Sequence, residues 1–169
     1  MVGLALLMAG AFGESANEDT SYLVKNWRTI DGLPQNWVRA IEQTSDGYLW
    51  VGTRGGLSRF DGVRFTNYGL ADGLKGLLIM DLREDGQGGL WIGTLGGGLS
   101  HWSNGVISTL TTADGLAHND VMALATADDG GLWVGSKGGA AALGTKRFHA
   151  GGGSGGPDAG SRGAGEPAG

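Results

Sequence analysis

Apolar and polar residues in this chain alternate over short stretches, and nowhere do apolar residues hold a helical spacing for long. Between residues 37 and 68 the alternation falls into four segments: Trp37–Thr44, Tyr48–Thr53, Leu57–Phe60 and Val63–Tyr68. Each is short, rich in β-branched and aromatic residues, and bounded by turn formers, which predicts four strands. Asp46-Gly47 and Asp61-Gly62 separate two pairs of segments. Asp-Gly is a favoured two-residue hairpin loop because both positions tolerate positive φ. Gly55-Gly56 punctuates the middle pair. The expected unit is a four-stranded antiparallel meander.

The unit recurs. Asp-Gly-Leu stands at 31–33, 72–74 and 114–116, spaced by 41 and then 42 residues. Leu-Trp stands at 49–50, 90–91 and 132–133 with the same spacings. Trp50, Trp91 and Trp133 are each followed by an aliphatic residue and a glycine, Gly52, Gly93 and Gly135, then by Thr or Ser. Two independent markers on one period define a repeat. Four strands in 40–45 residues is the size of one β-propeller blade. The fold class is therefore all-β, an incomplete β-propeller of about three blades of four-stranded antiparallel meanders: 31–71, 72–113 and a partial blade over 114–144. Trp27 precedes Asp31 by the interval that separates Tyr68 from Asp72, so residues 21–30 are expected as a lone outer strand of a preceding blade. Two blades and part of a third do not close a ring, since propellers have four to eight. The chain is expected to be a fragment of a longer protein, or else copies assemble to complete the ring.

Composition adjusts this picture at the ends. Of 169 residues 36 are Gly and none is Cys. That much glycine disfavours helix at about 1 kcal/mol per position relative to alanine. The absence of Cys excludes disulfides and thiolate metal sites. The net charge of −5, with no cluster of Lys or Arg, argues against nucleic acid as a partner. Residues 1–13 are uncharged and mostly apolar, too short to span a bilayer but fitting the core of a secretory signal. Residues 1–16 are accordingly expected as a signal peptide of an exported, periplasmic bacterial protein. Residues 145–169 lose the alternation, and Gly, Ala, Ser and Pro dominate from 150 onward. That composition predicts a disordered Gly-rich tail.

The stretch Tyr22-Leu-Val-Lys-Asn-Trp27-Arg-Thr-Ile-Asp31-Gly-Leu-Pro34-Gln35-Asn36, with Gly47–Thr53 and Gly56–Phe65, closely resembles the two-component regulator propeller repeat. The resemblance covers roughly residues 21–142. It implies the start of an extracytoplasmic sensor of a hybrid histidine kinase or related regulator. Full members carry many blades, a small β-sandwich, a membrane helix and a kinase, so membrane attachment is implied only through segments outside this sequence. Further blades of the parent chain are implied as partners, and carbohydrate or another small molecule as ligand. The copies depart from the pattern at Gly98, at His101-Trp102-Ser103-Asn104-Gly105 and at Gly139-Ala140-Ala141-Ala142.

Candidate sites follow from position within the repeat. Trp50, Trp91 and Trp133 recur in every blade and are expected to pack blade on blade; Gly52, Gly93 and Gly135 recur with them as structural positions of the meander, where a turn or a close approach is needed. The carboxylates of the Asp-Gly-Leu segments suit turns better than calcium, since no Asp-x-Asp-x-Asp run accompanies them. His101, His118 and His149 lack ligand spacing. Gly151–Gly156 has no following Gly-Lys-Ser/Thr and is not a phosphate loop. No catalytic residue, metal site or cofactor is expected. Ligand contact falls to Gln35, Asn36 and Trp37 in a blade-joining loop and to Arg54 beside the first glycine pair. An arginine there is suited to pairing bidentately with an acidic sugar. The function expected is ligand sensing by binding rather than catalysis. A scaffold completed by self-association, or part of a propeller lyase, are the other readings.

Overall fold

The computed structural model describes residues 23–127 and 130–144, and residues 148–150 as a backbone strand. Among the described residues twelve strands form three antiparallel sheets. The first blade contains β1 (Val38–Gln43), β2 (Leu49–Thr53), β3 (Gly56–Phe60) and β4 (Phe65–Tyr68). The second contains β5 (Ile79–Glu84), β6 (Leu90–Thr94), β7 (Gly98–Ser103) and β8 (Val106–Leu110). The third contains β9 (Val121–Thr126), β10 (Leu132–Ser136), β11 (Gly139–Leu143) and β12 (Phe148–Ala150). Strand order in each sheet follows the chain, and the first strands of neighbouring blades abut, β1 on β5 and β5 on β9. This is an open, propeller-like row of blades.

Asp-Gly-Leu starts each blade, and each residue has a task. Asp31, Asp72 and Asp114 accept the backbone N–H three residues earlier, at 2.8, 2.8 and 2.9 Å. These bonds close a 3₁₀ turn of the kind that short polar side chains favour. Gly32, Gly73 and Gly115 take φ of +112°, +111° and +99°, which only glycine adopts without strain. Leu33, Leu74 and Leu116 are buried. The Thr or Ser after each Trp-aliphatic-Gly closes the second hairpin: the hydroxyls of Thr53, Thr94 and Ser136 donate to the carbonyls of Gly56, Gly98 and Gly139 at 2.8–3.0 Å.

Blades pack through positions one period apart. Ile79 and Leu82 on β5, and Val121 and Leu124 on β9, are buried against the preceding blade. Their counterparts on β1, Val38 and Ile41, are 37% and 60% exposed, because no described blade precedes them. The recurring Trp shows the reverse gradient. Trp50 is 1% exposed and meets Trp102 of the second blade edge-on, with ring centroids 4.9 Å apart. Trp91 packs against the core between blades two and three. Trp133, facing no described blade, is 47% exposed. Each fully buried aliphatic side chain contributes about 1.5–3 kcal/mol. Trp50 and Trp91 thus pack between blades.

Three expectations need correction. Residues 23–28 form no strand; Thr29–Asp31 is a 3₁₀ turn, so the lone outer strand over 21–30 is absent from the described part. A strand needs a ladder partner, and Trp27 instead lies edge-on against Phe60 at 5.4 Å. The third blade does not stop at three strands: β12, placed by sequence in the tail from 145, pairs antiparallel with β11. Asp46 and Asp61 do not take positive φ. Their carboxylates instead accept backbone N–H groups, from Tyr48 at 3.3 Å and from Val63 and Arg64 at 2.9 and 2.8 Å, while Gly47 and Gly62 alone turn left-handed. The hairpin with both central residues at positive φ is Asn104-Gly105. The expected signal peptide over 1–16 and the tail beyond 150 lie outside the described residues.

Gly52 and Gly93 are where the next blade comes closest. A Cβ on Gly52 would lie 2.5 Å from Ile79 Cγ2, and one on Gly93 2.9 Å from Val121 Cγ1. Gly135 meets only Ala123 of its own blade, at 3.5 Å. Gly52→Ala should therefore destabilise by about 1–3 kcal/mol through overpacking. Gly135→Ala should be neutral, or stabilise by up to about 1 kcal/mol through reduced unfolded-state entropy. Urea unfolding of the two variants checks this, and equal losses would contradict it.

Candidate functional site

In each blade the loops at the start of the first strand and the end of the second meet on one end of the strands. A backbone bond ties them identically: Arg54 N–H to Trp37 O at 3.2 Å, Leu95 N–H to Leu78 O at 2.9 Å, and Lys137 N–H to Asp120 O at 3.1 Å. The backbone is held constant while the side chains change, from Trp and Arg to two leucines to Asp and Lys. That is how a rigid scaffold displays a variable surface.

The first of these pairs forms a distinct site. The Arg54 guanidinium lies over the Trp37 indole, 4.3 Å from the ring centroid. Trp37 is 56% exposed and, with Gln35, Asn36 and Val38, lines a shallow open concavity of about 460 Å³. A cation over an exposed indole is worth about 0.5–1 kcal/mol and fixes both side chains. The four candidates thus lie together, but with different work. Gln35 Oε1 accepts the Trp37 N–H at 2.6 Å, and Asn36 Oδ1 accepts the Thr29 N–H at 2.8 Å. Asn119 repeats the Asn36 bond to Thr112 in the third blade. Those carbonyl oxygens hold the loop, while the Trp37 face and the Arg54 guanidinium are turned outward.

Sequence inspection missed a second polar cluster, at the opposite end of the strands. His101 Nε2 and Asp85 Oδ2 are 2.7 Å apart, and the His101 ring lies against Trp91 with centroids 4.2 Å apart. His101 looked isolated because its partner lies on the loop of another hairpin, sixteen residues away. The Asp85 carboxylate lies below its ordinary value of 3.8. Partial burial opposes this, but hydrogen bonds from the Gln87 N–H, His101 and the Gly89 N–H outweigh it. Asp61 and Asp114 are also lowered, through backbone bonds from Arg64 and Val63 and from Thr111 respectively. Among the described residues no three of His, Asp and Glu gather as metal ligands. No described helix is long and apolar enough to cross a membrane.

A group whose folded pKa is depressed stabilises above its unfolded pKa and loses that contribution as pH falls through the folded value. Asp85 should therefore contribute fully well above pH 3.8 and progressively less below it. Asp85→Asn should flatten the acid limb of stability against pH, measured by thermal unfolding between pH 6 and pH 2. An unchanged slope would show that the carboxylate bonds contribute nothing.

A sequence profile described as two component regulator propeller matches residues 32–55, 73–96 and 115–138, one match per blade. Over 51 residues the chain is 47% identical to Histidine kinase P4 of Formosa agariphila, covering 30% of this chain and 4% of the kinase. The extracellular domain of BT3049 from B. thetaiotaomicron, described as a hybrid two component system, superposes with a TM-score of 0.68 at 28% identity. That match covers 77% of this chain and 20% of the other. The extracellular domain of BT4673 from the same organism shares the fold with a TM-score of 0.57 at 24% identity, over 64% of this chain and 17% of the other. The chain thus spans a small part of each relative. It is a propeller domain related to the extracellular regions of two-component sensors.

Proposed function

We propose, from the premise that these three repeats belong to the two-component regulator propeller family, that the chain is a ligand-sensing segment of an exported bacterial sensor. It binds rather than catalyses, in the periplasm, and forms part of a longer hybrid histidine kinase or related regulator. The likeness to the BT3049 extracellular domain carries this reading. The exposed apolar residues on both end blades support a longer row: Val38 and Ile41 at one end and Trp133 at the other match surfaces that inner blades cover. Ligand occupancy at the loop face would bias the packing of adjacent blades, and a membrane segment would pass that bias to an output domain.

The gene that encodes these repeats should continue into further blades, a membrane segment and a kinase or other regulatory output. A reading frame that ends without either of the last two overturns the sensor assignment.

The Trp37 and Arg54 pair suits a ring that stacks on the indole and carries a carboxylate for the guanidinium, as an acidic sugar does. Titration of the full chain with galacturonate oligomers, followed by tryptophan fluorescence, tests this. Saturable binding is expected, weakened at least tenfold by Trp37→Ala or Arg54→Ala and unmatched by a neutral oligomer of equal length. Equal affinity for the neutral oligomer, or no effect of either substitution, sinks the acidic-sugar reading.

A further inference from the structure

The two blade junctions share a backbone plan but are filled differently. Register identifies the corresponding residues. Trp50 pairs with Arg59, Trp91 with His101 and Trp133 with Ala142 across the middle strands. Leu49 pairs with Phe60, Leu90 with Trp102 and Leu132 with Leu143. The first hairpin of each blade is closed by one equivalent bond: Thr44 N–H to Tyr48 O, Asp85 N–H to Gly89 O, and Ala127 N–H to Gly131 O. Asp85 thus stands where the first blade has Thr44, Gly89 where it has Tyr48, and His101 where it has Arg59. Leu143 stands in the third blade where the second has Trp102.

Between blades one and two the space is full. The Arg59 guanidinium lies 4.3 Å from the Tyr48 ring centroid and 5.6 Å from those of Trp50 and Trp102. A cation is thus held among three aromatic rings. Between blades two and three the phenol ring is gone at Gly89, the indole is cut to Leu143, and the arginine is cut to a histidine. What remains is a half-open cleft of about 350 Å³ lined by Asp85, Trp91, His101, Leu110, Leu132 and Leu143. That volume reaches the range of small-molecule sites. Among the described residues its walls are apolar and aromatic, with Gln87 and with the Asp85 carboxylate paired to the His101 imidazole. Glycine leaves room for the polar pair, since a Cβ on Gly89 would run into the Asp85 and His101 side chains where they now stand.

We propose that this cleft binds a small aromatic amine, its ring lying against Trp91 in the space that Trp102 fills at the other junction and its ammonium group meeting the Asp85 carboxylate. The carboxylate that replaces neutral Thr44 supplies the counter-charge. Asp85 accepts from Gln87, Gly89 and His101, and a carboxylate has about four acceptor positions, so one stays available to an ammonium donor. Trp91 supplies the aromatic wall, as Trp50 does for Arg59. The cleft lies at the opposite end of the strands from Trp37 and Arg54 and shares no lining residue with them, so its test does not depend on the acidic-sugar reading.

Tyramine carries an aromatic ring and a primary amine. Titrated into the full chain and followed by calorimetry and by the His101 imidazole NMR signals, it should bind saturably with Kd on the order of millimolar, as suits so small a ligand. The uncharged analogue 4-methylphenol should bind at least fivefold more weakly, and the anion 4-hydroxyphenylacetate more weakly still. Leu143→Trp, which restores the missing indole, should abolish binding while leaving the thermal midpoint equal or higher. Asp85→Asn should weaken tyramine at least fivefold without changing the affinity for 4-methylphenol, which separates counter-charge from folding. No saturable tyramine binding, equal affinity for the anion, or unaltered binding in a folded Leu143→Trp variant would each overturn the proposal.

Discussion

A four-stranded meander of this size has two apolar faces and no interior of its own. Everything in the chain follows from the need to lay one blade on the next. The tightest expression of that need is the approach of β5 to Gly52 and of β9 to Gly93, where a single methyl group would enter the neighbour's side chains. Close approach there lets Ile79, Leu82, Val121 and Leu124 disappear from solvent. It also brings polar groups across the junction: Asp81 accepts the Leu124 N–H at 2.8 Å, and Glu42 accepts the Glu84 N–H at 3.1 Å. Each junction has its own glycine, so widening the approach there would loosen the apolar and polar contacts of that junction.

Holding the blades in register leaves the strand ends free to vary. At one end, bonds such as Arg54 N–H to Trp37 O recur unchanged in each blade, so whatever side chains stand there are displayed at equivalent places. At the other end the first hairpin varies, with Tyr48 in the first blade and glycine, Gly89 and Gly131, at that position in the other two. Variation is tolerated at both ends for the same reason. The residues that vary lie on the loops, not among the glycine and aliphatic positions of the close approach.

Much of this was legible in the chain because the period exposes it. Asp31, Trp50 and Gly52 each have counterparts at fixed spacing, and a residue type that a position demands in every blade must serve the blade. The turn conformations were less legible. Asp-Gly suggests two positive φ values, yet a carboxylate that accepts nearby N–H groups, as at Asp61, lets glycine alone carry the left-handed turn. The segment before Asp31 has strand composition but lacks a partner strand, and pairing rather than composition makes a strand. Phe148–Ala150 shows the converse: a short stretch beside glycine-rich sequence pairs because β11 offers an open edge. That Gln35, Asn36, Trp37 and Arg54 lie together could be read from their positions in the repeat. Their division of labour could not, because it depends on which oxygen meets which N–H. The His101 and Asp85 pair was illegible for a different reason. Its meaning lies in what Tyr48, Arg59 and Trp102 do at the neighbouring junction.

That comparison also ranks the junctions. Between blades one and two, Tyr48, Trp50 and Trp102 surround Arg59, and Ser45 donates to Glu84 through both its N–H and its hydroxyl. Between blades two and three the corresponding volume holds a cleft, and Asp81 supplies the direct carboxylate bond to the next blade. A void forfeits the dispersion contacts its lining would otherwise make. The second junction is therefore the more weakly packed, although its backbone spacing at Gly93 is nearly as close as that at Gly52. A ligand that fills the cleft would supply the contacts missing there. Binding would then stiffen one joint of the row relative to the other, which is the kind of differential contact through which a binding event can shift the relation between two blades.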